Sequence, residues 1–181
     1  MTIDFAWQRR RCGALALTLF LAALSPAFAA TGVGVTGQGS YVTQPDPKHP
    51  GMYLWKLWAR DFIIEAPDKN VSGTLKGVHA ILFQNGKQTA DMVAPQAQSD
   101  NVKETIVASG GVVVKSLTQP GTILRADNVV WNAASRKIIA SGHVFYKNGK
   151  TGMTIQPRGR LIADTVLKSV RSDDGGSIKL P

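Results

Sequence analysis

The chain has 181 residues, 44% of them hydrophobic, which is enough for one domain with its own core and too apolar for a disordered tail. Its formal charge is +9, from 21 lysines and arginines against 12 aspartates and glutamates, so it favours anionic partners. The single cysteine, Cys12, rules out an intrachain disulfide framework, and the fold must be stable without covalent staples.

The first segment reads as an export signal. Arg9, Arg10 and Arg11 form a basic start, Gly13 to Leu24 is uncharged and apolar, and Ala27-Phe28-Ala29 supplies a small-x-small cleavage pattern. Cleavage is expected after Ala29. The rival is a retained anchor, although twelve helical residues reach only about 18 Å against roughly 30 Å of hydrocarbon. Cys12 precedes the apolar stretch, whereas a lipid-modified cysteine would follow it. Without residues 1–29 the chain loses three arginines and Asp4, leaving a net charge of +7. Nucleic acid, the usual partner of a basic domain, is a poor choice for an exported one. Phosphorylated lipids and anionic glycans fit better.

Residues 30–52 read as a flexible leader. Gly32-x-Gly34-x-x-Gly37 matches a dinucleotide fingerprint in spelling only, because no strand precedes it and no helix pattern follows. Gln44 to Gly51 holds three prolines and a glycine and reads as a turn-rich linker.

From Tyr53 the chain alternates β-branched and aromatic strand patterns with turn signals at Asp68-Lys69-Asn70, Asn85-Gly86, Pro120-Gly121 and Asn148-Gly149. No long stretch of helical periodicity interrupts it. An internal repeat aligns Gly77, Gly110 and Gly142, spaced 33 and 32 residues apart, each opening an alternating strand. Ala-Asp recurs later in the units, at Asp91, Asp127 and Asp164. Such periods mean stacked supersecondary units that bury one face of each in a shared interior. Alternation turns Trp55, Leu57 and Ala59 to one face and Lys56 and Arg60 to the other. The corresponding inner set continues with Val78, Ala80, Leu82, Val112, Val114, Leu124, Ala126, Ile138, Ala140, Val144, Tyr146, Leu161 and Ala163. Alternation by itself does not separate a packed sandwich core from an open groove.

No set of convergent reactive groups emerges. His49, His79 and His143 are scattered, with His79 and His143 expected at the surface or a rim, and neither an HExxH nor a GxSxG pattern is present. Asp127 and Asp164 could be imagined as an acid–base pair, but their repeated Ala-Asp setting suits turn capping. The basic residues are dispersed, with Arg158-Gly-Arg160 the tightest pair.

Trp55-x-Leu57-x-Ala59, GVHAILFQNGK (77–87), ASGGVVVKS (108–116), LRADNVVW (124–131), RKIIASGHV (136–144) and LIADTVLKSV (161–170) together resemble the lipopolysaccharide-export C component and its A-component relatives, the OstA-like β-jellyroll proteins. The similarity runs from about Tyr53 to Val170, with LIADTVLKSV resembling the closing strand. It implies an all-β, twisted, open β-jellyroll (a β-taco) of stacked repeat units over residues 53–172, with open strand edges; residues 173–181, beyond it, are expected to form a disordered tail. It implies a periplasmic, non-enzymatic protein without cofactor or metal. Its partners would be lipopolysaccharide or a related lipid, jellyroll proteins docked edge to edge, and an inner-membrane ABC transporter that supplies the energy. Alternation and the resemblance jointly nominate thirteen lipid-lining positions: Trp55, Leu57, Ala80, Leu82, Val112, Val114, Leu124, Ala126, Ile138, Val144, Tyr146, Leu161 and Ala163. The cleavable-looking start departs from the C component, which keeps its anchor, so both roles stay open. The alternative is a self-assembling structural or adhesive β-solenoid without lipid cargo.

Overall fold

The structure, a computed structural model, describes residues 34–65, 72–100, 102–173 and 177–179. The expected signal segment and the turn signal at Asp68-Lys69-Asn70 lie outside the described residues. The fold is all-β: one open antiparallel sheet, with no helix among the described residues. Its long strands are β1 (Gly34–Pro45), β2 (Tyr53–Glu65), β3 (Ser72–Gln84), β4 (Lys87–Asp100), β5 (Thr105–Ser116) and β6 (Ile123–Asn132). Shorter ones follow: β7 (Lys137–Ser141), β8 (Phe145–Lys147), β9 (Thr154–Ile155), β10 (Leu161–Asp164), β11 (Ser169–Ser172) and β12 (Ser177–Lys179). The strands pair in chain order from β1 to β7, then through β10, β11 and β12; β8 continues the line of β7 along β6, and β9 pairs with β8. The sheet does not close on itself, so β1 and β12 are its ends, as expected of an open jellyroll.

The repeat glycines have one structural job. Pairing is interrupted along a line that crosses the strands at Gly39, Arg60, Gly77, Pro95, Gly110-Gly111, Asp127 and Gly142-His143. Gly77, Gly110 and Gly142 sit there with φ of +60°, +87° and +73°, a region open to glycine and costly for residues with a Cβ. Pro95 cannot donate to the ladder at the same line. Bulges bend strands, and a row of them makes a crease. The sheet folds over it into two layers. Ser40–Pro45, Tyr53–Ala59, Val78–Ala94, Val112–Ala126 and β8 form the first layer; the segments beyond the crease, with β7, β10 and β11, form the second. Buried residues from both belong to one hydrophobic cluster. Hydrogen bonds also join the layers at the margin opposite the crease: Ser116 Oγ donates to the Val166 carbonyl (2.8 Å) and the Tyr146 hydroxyl to the Leu167 carbonyl (3.0 Å).

Four local expectations need correction. The leader forms a strand over Gly34–Pro45, because Tyr41, Val42 and Thr43 fit a pleated surface and Tyr41 lies against Trp58, ring centroids 5.1 Å apart. The tail contributes Ser177–Lys179 to the sheet, paired with β11. Asn85-Gly86 makes the two-residue hairpin with both φ positive, but Asn148-Gly149 does not. There the Asn148 side chain is buried and accepts from Lys150 N (3.0 Å) and Thr151 N (2.8 Å), shaping a longer loop closed by Gly152 N to Asn148 O. Finally, LIADTVLKSV is a hairpin, not one closing strand: Asp164 accepts from Lys168 N (2.7 Å) and Ser169 N (3.2 Å) and turns the chain between β10 and β11. That is the capping work expected of the Ala-Asp motif. It places Val166 and Leu167 in a turn, away from either free edge.

Candidate functional site: the folded apolar interior

All thirteen nominated positions point into the fold and belong to the one core cluster. The first layer holds Trp55, Leu57, Ala80, Leu82, Val112, Val114, Leu124, Ala126, Val144 and Tyr146, and the second holds Ile138, Leu161 and Ala163. Their exposures run from 0 to 5%. The two faces therefore lie against each other, and a hydrocarbon tail needs the layers to part.

The nominated set omitted much of the second layer. Leu75, Ala97, Ile106, Ala108, Val129, Trp131 and Val170 are equally buried, as are Ala90, Met92 and Ala94 in the first. For Leu75, Ala97, Val129 and Trp131 the reason is a change of parity at the crease. Buried positions step by two along a strand, but by three across the fold in β3, β4 and β6, from Leu75 to Val78, from Ala94 to Ala97 and from Ala126 to Val129; in β5 the two adjacent glycines make the step four, from Ala108 to Val112, and parity is kept. A single alternation register carried along β6 turns Trp131 outward; the bulge at Asp127 turns it in.

Polar groups gather at the margin opposite the crease. The buried Trp131 indole donates to Thr165 Oγ1 (3.3 Å), Asn148 Nδ2 approaches the Tyr146 hydroxyl (3.4 Å), and Gly149 N donates to Thr122 Oγ1 (2.9 Å). Elsewhere on this margin a cleft of about 160 Å³ lies between the tips of the two layers. It is lined by Tyr53, Leu54 and Phe83 on one side and by Glu104, Trp131 and Arg136 on the other. The margin is thus latched at one place and parted at another. Asp46, also lining this cleft, is held below the usual carboxylate range, chiefly by its hydrogen bond with His49 (2.9 Å).

Tyr146 links this latch to pH. Burial pushes its phenol above the ordinary value of 10.0, while the Asn148 hydrogen bond acts the other way. The raised acid holds its proton in the folded chain where the unfolded chain has lost it. The contribution is therefore complete below about pH 10 and disappears as pH climbs through the folded value. Tyr146→Phe should cost about 1–2 kcal/mol near neutrality, by leaving the Leu167 carbonyl unpaired. It should also flatten the alkaline fall in melting temperature relative to the wild type, as thermal unfolding across pH 8–11 would measure. Equal slopes for the two proteins would contradict the placement of this phenol.

On the outer surface, His143 Nδ1 lies 2.7 Å from Asp127 Oδ2, and His79 Nε2 lies 2.8 Å from Asp91 Oδ1, though not aligned for a hydrogen bond. His79 also stacks on Trp58, centroids 5.2 Å apart. Asp127 thus serves the crease and its histidine, and Asp164 serves a turn. No group of three His, Cys, Asp or Glu suited to a metal occurs among the described residues, and no described helix is long and apolar enough to cross a membrane. No protein-family model matches the chain, and no curated protein matches it.

Proposed function

We propose that this chain is a non-catalytic envelope protein that holds acyl chains of lipopolysaccharide or a related lipid between the layers of its folded sheet. It passes the lipid to jellyroll partners docked at its free strand edges, with an inner-membrane ABC transporter supplying the energy. The observation that carries this reading is the continuity of the apolar interior, which crosses every strand from β2 to β11 between two sheet ends. β1 offers a twelve-residue edge for another strand to extend, and unpaired edges are natural docking sites. The basic surface suits a phosphorylated headgroup left outside.

The packed interior sets the energetic requirement. Parting the layers exposes apolar surface at about 25 cal/mol per Å². A tail of about twelve methylenes restores about 10 kcal/mol by its own burial, so lipid and opening go together. The seam that opens is the margin opposite the crease, where few hydrogen bonds hold the layers.

The same packing favours one other reading, a structural envelope protein whose interior is simply its core: 0–5% exposure at all thirteen positions is what a finished core shows. Mass spectrometry of the protein purified from cells that make lipopolysaccharide separates the two. Co-purified lipid A-bearing species, lost on substitution of Leu124 by Asn but kept on substitution of the outward Lys56 by Gln, are expected. A lipid-free protein would leave the structural reading.

A further inference from the structure

The outer face of the first layer carries a second feature, unrelated to the interior. A cleft of about 540 Å³ is lined by Lys115, Arg125 and Lys147 together with Asp91, Ile123 and Phe145. Strand register explains why these meet. Ile123 on β6 pairs with Lys115 on one side and Lys147 on the other, so the two lysines stand two strand spacings, about 10 Å, apart. Arg125 follows two residues along the same strand, on the same face about 7 Å away, with Phe145 as its cross-strand partner. None of the three cations makes an ion pair with a described residue. Asp91 pairs with Lys115 across the strands, but its carboxylate lies beside His79.

Three like charges held in one cleft repel one another, and an anion placed among them removes that repulsion. Their kinds are complementary. A guanidinium offers a planar fork to two oxygens, and two ammonium groups supply point charges. A terminal phosphate, with three oxygens and nearly two charges at neutral pH, answers all three, whereas a carboxylate answers one or two. Ile123 and Phe145 provide apolar surface for the carbon skeleton that bears it. We propose that this cleft binds a phosphate monoester. The proposal does not depend on lipid in the interior, because the cleft lies on the opposite side of the sheet.

The test is a titration of the isotopically labelled protein, followed by amide chemical shifts. The probes are glucosamine 1-phosphate and, separately, phosphatidylcholine vesicles with and without phosphatidic acid. Shifts confined to residues 113–125 and 145–147 are expected with the soluble probe, or, if the phosphate belongs to a headgroup, with the phosphatidic acid vesicles alone. Lys115→Gln with Lys147→Gln should weaken the effective probe about tenfold or more, and Lys76→Gln on the other layer should not. Lys115 and Lys147 are exposed, so circular dichroism should be unchanged. Absence of shifts in these segments with both probes, or equal binding by the double variant, would overturn the site.

Discussion

Gly142→Ala should lower the unfolding free energy by about 3 kcal/mol or more, the largest loss from adding a single methyl group along the crease. A Cβ at Gly142 would sit 2.5 Å from Asp127 Oδ2 and 2.8 Å from Asp127 Cβ, and the φ of +73° adds its own strain. That strain alone is about 1–2 kcal/mol. The rest comes from displacing Asp127, whose carboxylate holds His143 and whose backbone N donates to the Gly142 carbonyl (2.8 Å). Two neighbours calibrate the claim. Gly77→Ala meets Arg60 Cβ at 3.1 Å, too close by only a few tenths of an ångström, and should cost less; Gly111→Ala meets nothing within 4 Å and should show the strain alone. Urea unfolding of the three variants should give the order Gly142, Gly77, Gly111. Equal losses at all three would mean that the crease places no special demand on close approach at Gly142.

Trp131→Ala should cost about 3–5 kcal/mol. Trp131 is the largest fully buried side chain among the described residues, at 1% exposure; it sits in the second layer on β6 and reaches Thr165 in the β10–β11 turn through its indole N–H. Removing it empties the part of the interior nearest the cleft between the layer tips and frees a buried hydroxyl partner. Trp131→Phe retains most of the burial and loses only the 3.3 Å hydrogen bond, so it should fall by about 1–2 kcal/mol. Thermal denaturation would check both. A near-neutral Trp131→Ala would mean that this region is not packed as described.

Strand content, the inner face of the first layer outside β4 and the repeat were legible in the sequence because each rests on local chemistry. Alternation at Trp55-Leu57 and Val112-Val114 survives unbroken on one side of the crease, and Asn85-Gly86 dictates its own turn. The repeat glycines were visible as a period, but not as a fold line, since a crease is a property of strands placed in register side by side. That is why Trp131 and Val129 were missed. The steps of three from Leu75 to Val78, from Ala94 to Ala97 and from Ala126 to Val129 recur in β3, β4 and β6 and were the available signal. β1 was missed because glycines at 34, 37 and 39 disguise a strand that its pairing with β2 supplies. Asn148 misled in the opposite way: its side chain is taken by the loop, so Gly149 never joins a two-residue turn. The separation of groove from core was beyond local pattern altogether, because both bury the same residues.

The proposed function requires hydrocarbon to occupy the space between the layers. Lipopolysaccharide carrying a photoreactive diazirine within an acyl chain should be irradiated with the unmodified protein and the adducts mapped by tandem mass spectrometry. Adducts at inward residues such as Leu57, Val112, Leu124 and Tyr146 are expected. Adducts confined to outward residues such as Val93 and Val107, or none at all, would contradict it.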